Sequence, residues 1–218
     1  MTLHFQREVD KLKRMILNEA AMVENGLQKA LKALRERDEE LALEIKKSDS
    51  EIDAMEIEIE EEALKILALH QPVAIDLRFI ISVIKINSDL ERIGDLTANI
   101  AARTIDLVKF PRLPIPENLS RMAEVALVMV KESLDSLVNL DVELALKVCD
   151  DDEKVDDLHK ETFALVRNKV KVEPENIDFF LMIMGISRYL ERIADHSTNI
   201  AEDVMYMVEG KISRHQQN

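Results

Sequence analysis

Residues 90–101 read LERIGDLTANIA and residues 190–201 read LERIADHSTNIA, so one stretch occurs twice in this chain of 218 residues. The two copies share eight of twelve residues at an offset of 100, whereas average residue usage would give about one identity. A second pair, DEELALEIKKSDSEID at 38–53 and DVELALKVCDDDEKVD at 141–156, repeats at an offset of 103. The sequence is therefore predicted to be an internal duplication whose halves share one plan.

The composition favours an all-α fold. Four glycines and five prolines are too few for the turns of an all-β or Rossmann-type protein, and 47% apolar residues allow a sizeable core. A formal net charge of −14 disfavours binding to nucleic acid and to anionic lipid headgroups. The single cysteine, Cys149, excludes an intrachain disulfide, and no apolar run is long enough to span a membrane. We therefore expect a cytoplasmic protein without direct membrane insertion.

Prolines and aspartates mark the helix boundaries. Because proline interrupts a helix, Pro72, Pro174 and the stretch FPRLPIPEN at 110–118 predict breaks. Asp38 and Asp141 each precede an acidic residue and an apolar run, which is typical of a helix N-cap. The five breaks predict six helices, and each half is predicted to form an up-down-up three-helix bundle. The predicted bounds are 1–109 for the first bundle, 110–116 for a linker, 117–210 for the second bundle and 211–218 for a tail.

The third helix of each bundle has an apolar seam at alternating steps of three and four residues. The seam residues are Leu90, Ile93, Thr97, Ile100 and Thr104 in the first half and Leu190, Ile193, Ser197, Ile200 and Val204 in the second. Small residues, Gly94 and Ala98 in the first half, lie beside the seam and would let a neighbouring backbone or an ion approach closely.

Each half also carries two acidic pairs at a spacing of i, i+4. The pairs are Asp49 with Asp53, Glu91 with Asp95, Asp152 with Asp156, and Glu191 with Asp195. Four residues turn about 40° around a helix, so both carboxylates of a pair share one face, about 5–6 Å apart at Cβ. On the third helix this face lies roughly 110–170° from the seam. Each pair could bind one cation, and oxygen donors suit hard cations such as Mg²⁺, Ca²⁺, Mn²⁺ or iron.

An alternative interpretation is a solvated acidic face, since charged residues are mostly exposed. Four like-charged pairs cost about 1 to 2 kcal/mol, and their presence in both halves favours a binding role. His159 could add a nitrogen ligand beside Asp156, and His196 is a weaker candidate. The sequence contains no GxxxxGK, GxGxxG, GxSxG or ExxH motif, so we do not expect an enzyme.

The chain resembles the PhoU family of phosphate-transport accessory proteins. The resemblance rests on LERIGD with TANIA, LERIAD with STNIAEDV, HQPVAIDLR at 70–78 and the upstream acidic pairs, and it covers essentially the whole chain. It implies an all-α fold of two tandem three-helix bundles related by pseudo-twofold symmetry. It also implies a cytoplasmic negative regulator of the phosphate-starvation response. The implied partners are the ATP-binding subunit of a phosphate ABC transporter and a sensor histidine kinase.

The resemblance also implies a metal-binding surface, because acidic motifs hold metal clusters in some family members. Carried over by position, the implied ligands are Glu91, Asp95, Glu191 and Asp195, with Asp49, Asp53, Asp152 and Asp156 from the adjacent helix. Gly94 is replaced by Ala194 in the second half, so the two sites need not be equally occupied. Two alternatives remain at this point: a metal-storage protein, or a metal-free helical adaptor. A homodimer is expected because long amphipathic bundles often leave an apolar edge.

Overall fold

The computed structural model describes residues 3–110 and 113–210. Within these ranges the chain forms six α-helices and one short 3₁₀ helix, with no strand, which confirms the all-α fold. The α-helices are α1 Leu3–Glu36, α2 Glu39–His70, α3 Ala74–Leu107, α4 Glu117–Asn139, α5 Val142–Val172 and α6 Ile177–Glu209, and the 3₁₀ helix is Pro174–Asn176. The predicted tail, 211–218, and residues 111–112 of the predicted linker lie outside the described residues.

Both predicted N-caps are confirmed. Asp38 Oδ1 accepts a hydrogen bond from the backbone N–H of Leu41 at 3.0 Å, and Asp141 Oδ1 accepts one from Leu144 at 3.0 Å. Each cap satisfies a backbone donor that the first turn of a helix otherwise leaves without a partner. The second helix of each half, α2 or α5, therefore begins at an aspartate cap in an equivalent position.

Within each bundle the seam of the third helix is buried as predicted. Leu90, Ile93 and Ile100 are fully buried, and burying one such side chain contributes about 1.5–3 kcal/mol. Thr97 and Thr104 also lie in this core, where their hydroxyl groups donate to carbonyl oxygens one turn earlier in α3. The polar members of the seam are therefore satisfied within their own helix.

The segment after α3 is held by Arg37, which follows α1. Its guanidinium donates to the backbone oxygens of Leu107, at 3.3 Å, and of Phe110 and Leu113. Phe110 in turn contacts Phe179 of α6, with ring centroids 6.1 Å apart. The connection between the two bundles is therefore anchored to both of them.

The two bundles meet through α3 and α6, which pack antiparallel. Lys85 Nζ lies 2.9 Å from Asp203 Oδ1, and Asp89 Oδ1 accepts from Asn199 Nδ2 at 3.2 Å. Helices α2, α3, α6 and α5 pack side by side in that order, and we call this layer the helix row. Helix α1 packs on α2 and α3, α4 packs on α5 and α6, and α1 and α4 contact each other, so both cover the same side of the helix row.

This arrangement places the two halves around one axis. A twofold axis that exchanges two antiparallel, side-by-side helices must run perpendicular to the layer that contains them. A rotation about such an axis keeps every feature on its original side of the helix row. Repeat-related residues in the two halves therefore face the same side of the molecule.

Candidate metal centre

The first-half cluster consists of Asp49 and Asp53 on α2 and Glu91 and Asp95 on α3. Asp49, Asp53 and Asp95 each offer a carboxylate oxygen, and these three oxygens lie within 4.8 Å of one another. Glu91 lies one turn before Asp95, and only 16% of its side chain is exposed. Tertiary packing thus brings together two acidic pairs that are about 40 residues apart in sequence.

The first-half cluster is electrostatically strained. Burial raises the pKa of Asp49 above its usual range, and the charges of Asp53 and Asp95 raise it further. Burial likewise raises the pKa of Glu91, with Asp95 again adding to the effect. The first-half cluster therefore carries an excess of negative charge, which a bound cation would offset.

One arginine partly neutralises the first-half cluster. Arg92 Nε lies 3.3 Å from Glu91 Oε2, and its Nη1 donates to Asp95 Oδ2 at 3.2 Å. The arginine side chain is 54% exposed, and such exposed ion pairs contribute only about 0–1 kcal/mol. Arg92 is therefore a weak competitor for the carboxylates that a cation would use.

The second-half cluster consists of Asp152 and Asp156 on α5 and Glu191 and Asp195 on α6. Burial, together with the charges of Asp195, Asp156 and Glu191, raises the pKa of Asp152 to about 6. Burial also raises the pKa values of Glu191 and Asp195. The four acids thus interact, but these described residues do not form a trio of oxygens as close as that of the first half.

The two candidate histidines have separate environments. His159 Nδ1 lies 2.8 Å from the hydroxyl oxygen of Ser187. Burial raises the pKa of Glu191, and the charge of His159 opposes that rise, so His159 lies within electrostatic reach of the second-half cluster. His196 instead contacts Asp89 of α3, with Nδ1 2.8 Å from Oδ1, and so lies at the interface between the bundles.

The small residues of α3 allow close packing beside the first-half cluster. A Cβ added to Gly94 would lie 3.2 Å from the Cδ1 atom of Ile52 on α2. In the second half, Ala194 stands in place of Gly94 and Val155 in place of Ile52. The larger residue on one helix is thus matched by a smaller residue on the other. A cavity of about 450 Å³ also opens here between α1, α2 and α3, with Asp49, Gly94 and Ala98 in its lining.

Sequence reasoning missed a buried acid behind the first-half cluster. Glu19 of α1 has no exposed surface, and neither of its carboxylate oxygens has a hydrogen-bond partner among the described residues. Burial raises the pKa of Glu19 to about 8, and the charges of Glu56 and Glu91 contribute to the rise. The available signal was an acid within the apolar period of α1, between Ile16 and Val23.

A second group that sequence reasoning missed lies where the start of α1 meets the end of α2. Glu8 Oε2 lies 2.5 Å from His70 Nε2, and Glu8 Oε1 lies 3.6 Å from His4 Nε2. One ligand atom from each of these three residues lies within 4.8 Å of the other two. Lys65 Nζ lies 3.2 Å from the same carboxylate, and the hydrogen bond from His70 lowers the pKa of Glu8. Because Lys65 already supplies a positive charge, we interpret this group as an ion-paired helix end.

Comparison with known proteins agrees with the duplicated plan. Residues 16–104 and 119–204 each match the family model described as the PhoU domain. The chain belongs to the PhoU family. A PhoU homologue from Aquifex aeolicus, named a phosphate-specific transport system accessory protein, is 39% identical over 96% of this chain and 95% of its own length. A PhoU homologue 1 from Thermotoga maritima is 34% identical over 96% of this chain and 90% of its own length.

Solved PhoU structures have the same fold. The crystal structure of PhoU from Pseudomonas aeruginosa aligns with a TM-score of 0.92 at 37% identity and covers 95% of this chain and 100% of that one. The phosphate transport system regulatory protein PhoU from Streptococcus pneumoniae aligns with a TM-score of 0.85 at 30% identity, over 95% of this chain and 98% of its own. The prediction of two three-helix bundles is therefore confirmed. None of the helices in the described residues is long and apolar enough to cross a bilayer.

Proposed function

We propose that the protein is a cytoplasmic, non-enzymatic negative regulator of phosphate uptake and phosphate-starvation signalling. In this proposal it couples the ATP-binding subunit of a phosphate ABC transporter to a sensor histidine kinase. The observation that carries the proposal is membership of the PhoU family over nearly the whole chain, together with the names of the relatives, which describe phosphate transport accessory and regulatory proteins.

We further propose that the two acidic clusters bind hard metal ions. Every predicted ligand offers oxygen, and the first-half trio holds three such oxygens within 4.8 Å. The raised pKa values of Asp49, Glu91 and Asp152 indicate negative charge without sufficient compensation. The donor set therefore fits Mn²⁺, Fe²⁺ or Fe³⁺, Mg²⁺ or Ca²⁺.

Bound cations would change both the charge and the rigidity of the surface that carries the two clusters. The first-half cluster joins α2 to α3, and the second-half cluster joins α5 to α6. Because both clusters face the same side of the helix row, cations there would make one surface less negative and hold four helices in register. A partner with a matching surface could then distinguish the metal-loaded form.

The test is capture of the purified ATP-binding subunit and of the purified kinase by the full chain supplied with Mn²⁺. Glu91→Ala combined with Glu191→Ala should weaken both interactions by at least tenfold. Glu58→Ala combined with Glu161→Ala is the matched control, because these exposed acids also occupy repeat-related positions. If the wild-type chain binds neither partner, the regulatory proposal fails.

The same measurement separates the two alternative functions. Tight Mn²⁺ binding without capture of either partner would favour a storage protein. Capture of both partners without any bound metal, and without a rise in melting temperature on addition of metal, would favour a metal-free adaptor.

We also propose a homodimer in solution. Large apolar side chains such as Val73, Ile75 and Leu69 at the α2–α3 turn are 64–74% exposed in the single chain. Light scattering of the full chain tests this proposal, and a monomeric mass at micromolar concentration would refute it.

A further inference from the structure

The starting observation is the environment of Glu19. It lies on the face of α1 that packs on α2 and α3, between the buried residues Ile16 and Val23, and it has no exposed surface. Both of its carboxylate oxygens lack a hydrogen-bond partner among the described residues. A fully buried carboxylate without a partner is costly, so its presence calls for a ligand or a proton.

Glu19 lies at the level of the first-half cluster. Helices α1 and α2 run antiparallel, as the pairs Lys11–Glu62 and Lys29–Glu44 show, and the same register places Glu19 next to the α2 turn that contains Glu56. Asn87 of α3 lies there as well, because its Nδ2 donates to the Glu56 backbone oxygen at 2.9 Å. The side-chain oxygen of Asn87 also has no partner among the described residues.

The second half shows that these positions are neighbours. At an offset of 103, Glu19 and Glu56 correspond to Met122 and His159, and at an offset of 100 Asn87 corresponds to Ser187. Ser187 joins the other two, since its hydroxyl oxygen lies 3.4 Å from Met122 Sδ and 2.8 Å from His159 Nδ1. By the pseudo-twofold symmetry, Glu19, Glu56 and Asn87 surround the equivalent space in the first half.

This space adjoins the first-half cluster at Glu91. Asn87 and Glu91 are four residues apart on α3 and so share one face of that helix. Glu91 and Glu56 are also the two residues whose charges raise the pKa of Glu19. Glu19 therefore lies within electrostatic reach of Glu91, and Asn87 lies one helical turn before Glu91 on α3.

We infer that Glu19 is an inner carboxylate ligand for a hard divalent cation in the first half of the molecule, reaching it from α1 between α2 and α3. The inference rests on the proposal that the acidic clusters bind metal. Its ligand set combines Glu19 with Glu91, Glu56 and the side-chain oxygen of Asn87, all of which are hard oxygen donors. The second half has a thioether, an imidazole and a hydroxyl at three of these positions, so it lacks this inner acid. The two halves therefore bind cations with different affinities, and the first half binds more tightly.

The test is a calorimetric titration of the chelator-treated full chain with Mn²⁺. The wild type should show one tighter and one weaker class of Mn²⁺ sites. Glu19→Met should weaken only the tighter class, by at least about tenfold. Even the loss of an outer partner of a metal ligand lowers metal affinity by about this factor. Glu19→Met copies the residue that the second half carries at this position, and Met122→Leu is the matched control. Glu19→Gln, which preserves the shape of the side chain, should weaken the same class.

Each outcome is decisive. If the wild type binds Mn²⁺ and both Glu19 variants bind it with unchanged affinity and number, the inner ligand is refuted while the metal-binding proposal stands. If the wild type binds no Mn²⁺, both fail. The mid-point of thermal unfolding without metal shows that each variant is folded, and its rise with Mn²⁺ should shrink only in the Glu19 variants.

Discussion

Replacing Glu19 with methionine is expected to stabilise the metal-free protein, by an amount that grows with pH. Burial raises the pKa of Glu19 from 4.5 to about 8. The folded state therefore keeps a proton that the unfolded chain releases between pH 4.5 and 8, so the folded protein loses stability as pH rises through this range. A tenfold change in proton affinity is worth about 1.4 kcal/mol, so the full loss is about 5 kcal/mol at pH 8 and above.

Glu19→Met lacks this titrating carboxyl group. The other titratable groups contribute to the stability of both proteins, and their contributions cancel when the two free energies of unfolding are subtracted. The stability of Glu19→Met relative to the wild type should therefore rise by about 3 kcal/mol between pH 5.5 and pH 8.5. The measurement is urea unfolding of both proteins in the presence of a chelator at several pH values across that interval.

Glu19→Gln serves as the control, because it removes the titration but keeps a buried polar group. It should show the same pH-dependent gain as Glu19→Met, and the constant difference between the two variants should report the cost of the unpartnered amide. Parallel stability curves for the wild type and Glu19→Met across this interval would refute the assignment of Glu19 as a buried, unpaired acid.

Three further predictions concern the clusters and the packing beside them. Arg92→Gln should tighten Mn²⁺ binding severalfold at low salt, because Arg92 pairs with two acids of the first-half cluster. An Mn²⁺ affinity that calorimetry finds unchanged in this variant would contradict the prediction. Lowering the pH below 6 should weaken Mn²⁺ binding in the second half, since the pKa of Asp152 is about 6 and a protonated carboxyl group is a poor ligand. An Mn²⁺ affinity that is independent of pH from 5 to 7 would argue against Asp152 as a ligand. Gly94→Ala gains about 1 kcal/mol of helix propensity but should lose about 2 kcal/mol through overpacking against Ile52, a net destabilisation of about 1 kcal/mol. Adding Ile52→Val should recover the loss, and additive effects in urea unfolding would exclude this contact.

Much of the architecture could be predicted from local sequence. The N-caps at Asp38 and Asp141 were identified from a short polar residue before an acidic and apolar run, and each cap makes the expected hydrogen bond. The seam of α3 followed from the 3.6-residue period. These features depend on contacts within about one helical turn, so sequence spacing is sufficient to predict them.

The composition of the candidate site was only partly accessible. Spacing predicted that Glu91 and Asp95 share a face, but it could not show which α2 residues lie opposite, that Arg92 contacts both acids, or that Glu19 approaches from behind. A single acid in the apolar period of α1 has the same sequence signature whether it faces solvent through a gap or is sealed in the core. Distinguishing these cases requires the positions of residues on two other helices.

The sequence by itself thus determined the six helices, the duplication and the two acidic faces, because helix periodicity and capping act between residues close in the chain. Tertiary structure alone decided the order of the helix row and the antiparallel contact of α3 with α6, which together turn both clusters to the same side. It also decided the burial of Glu19. These properties arise from side chains that meet across helices, where the register is set by the packing of whole surfaces.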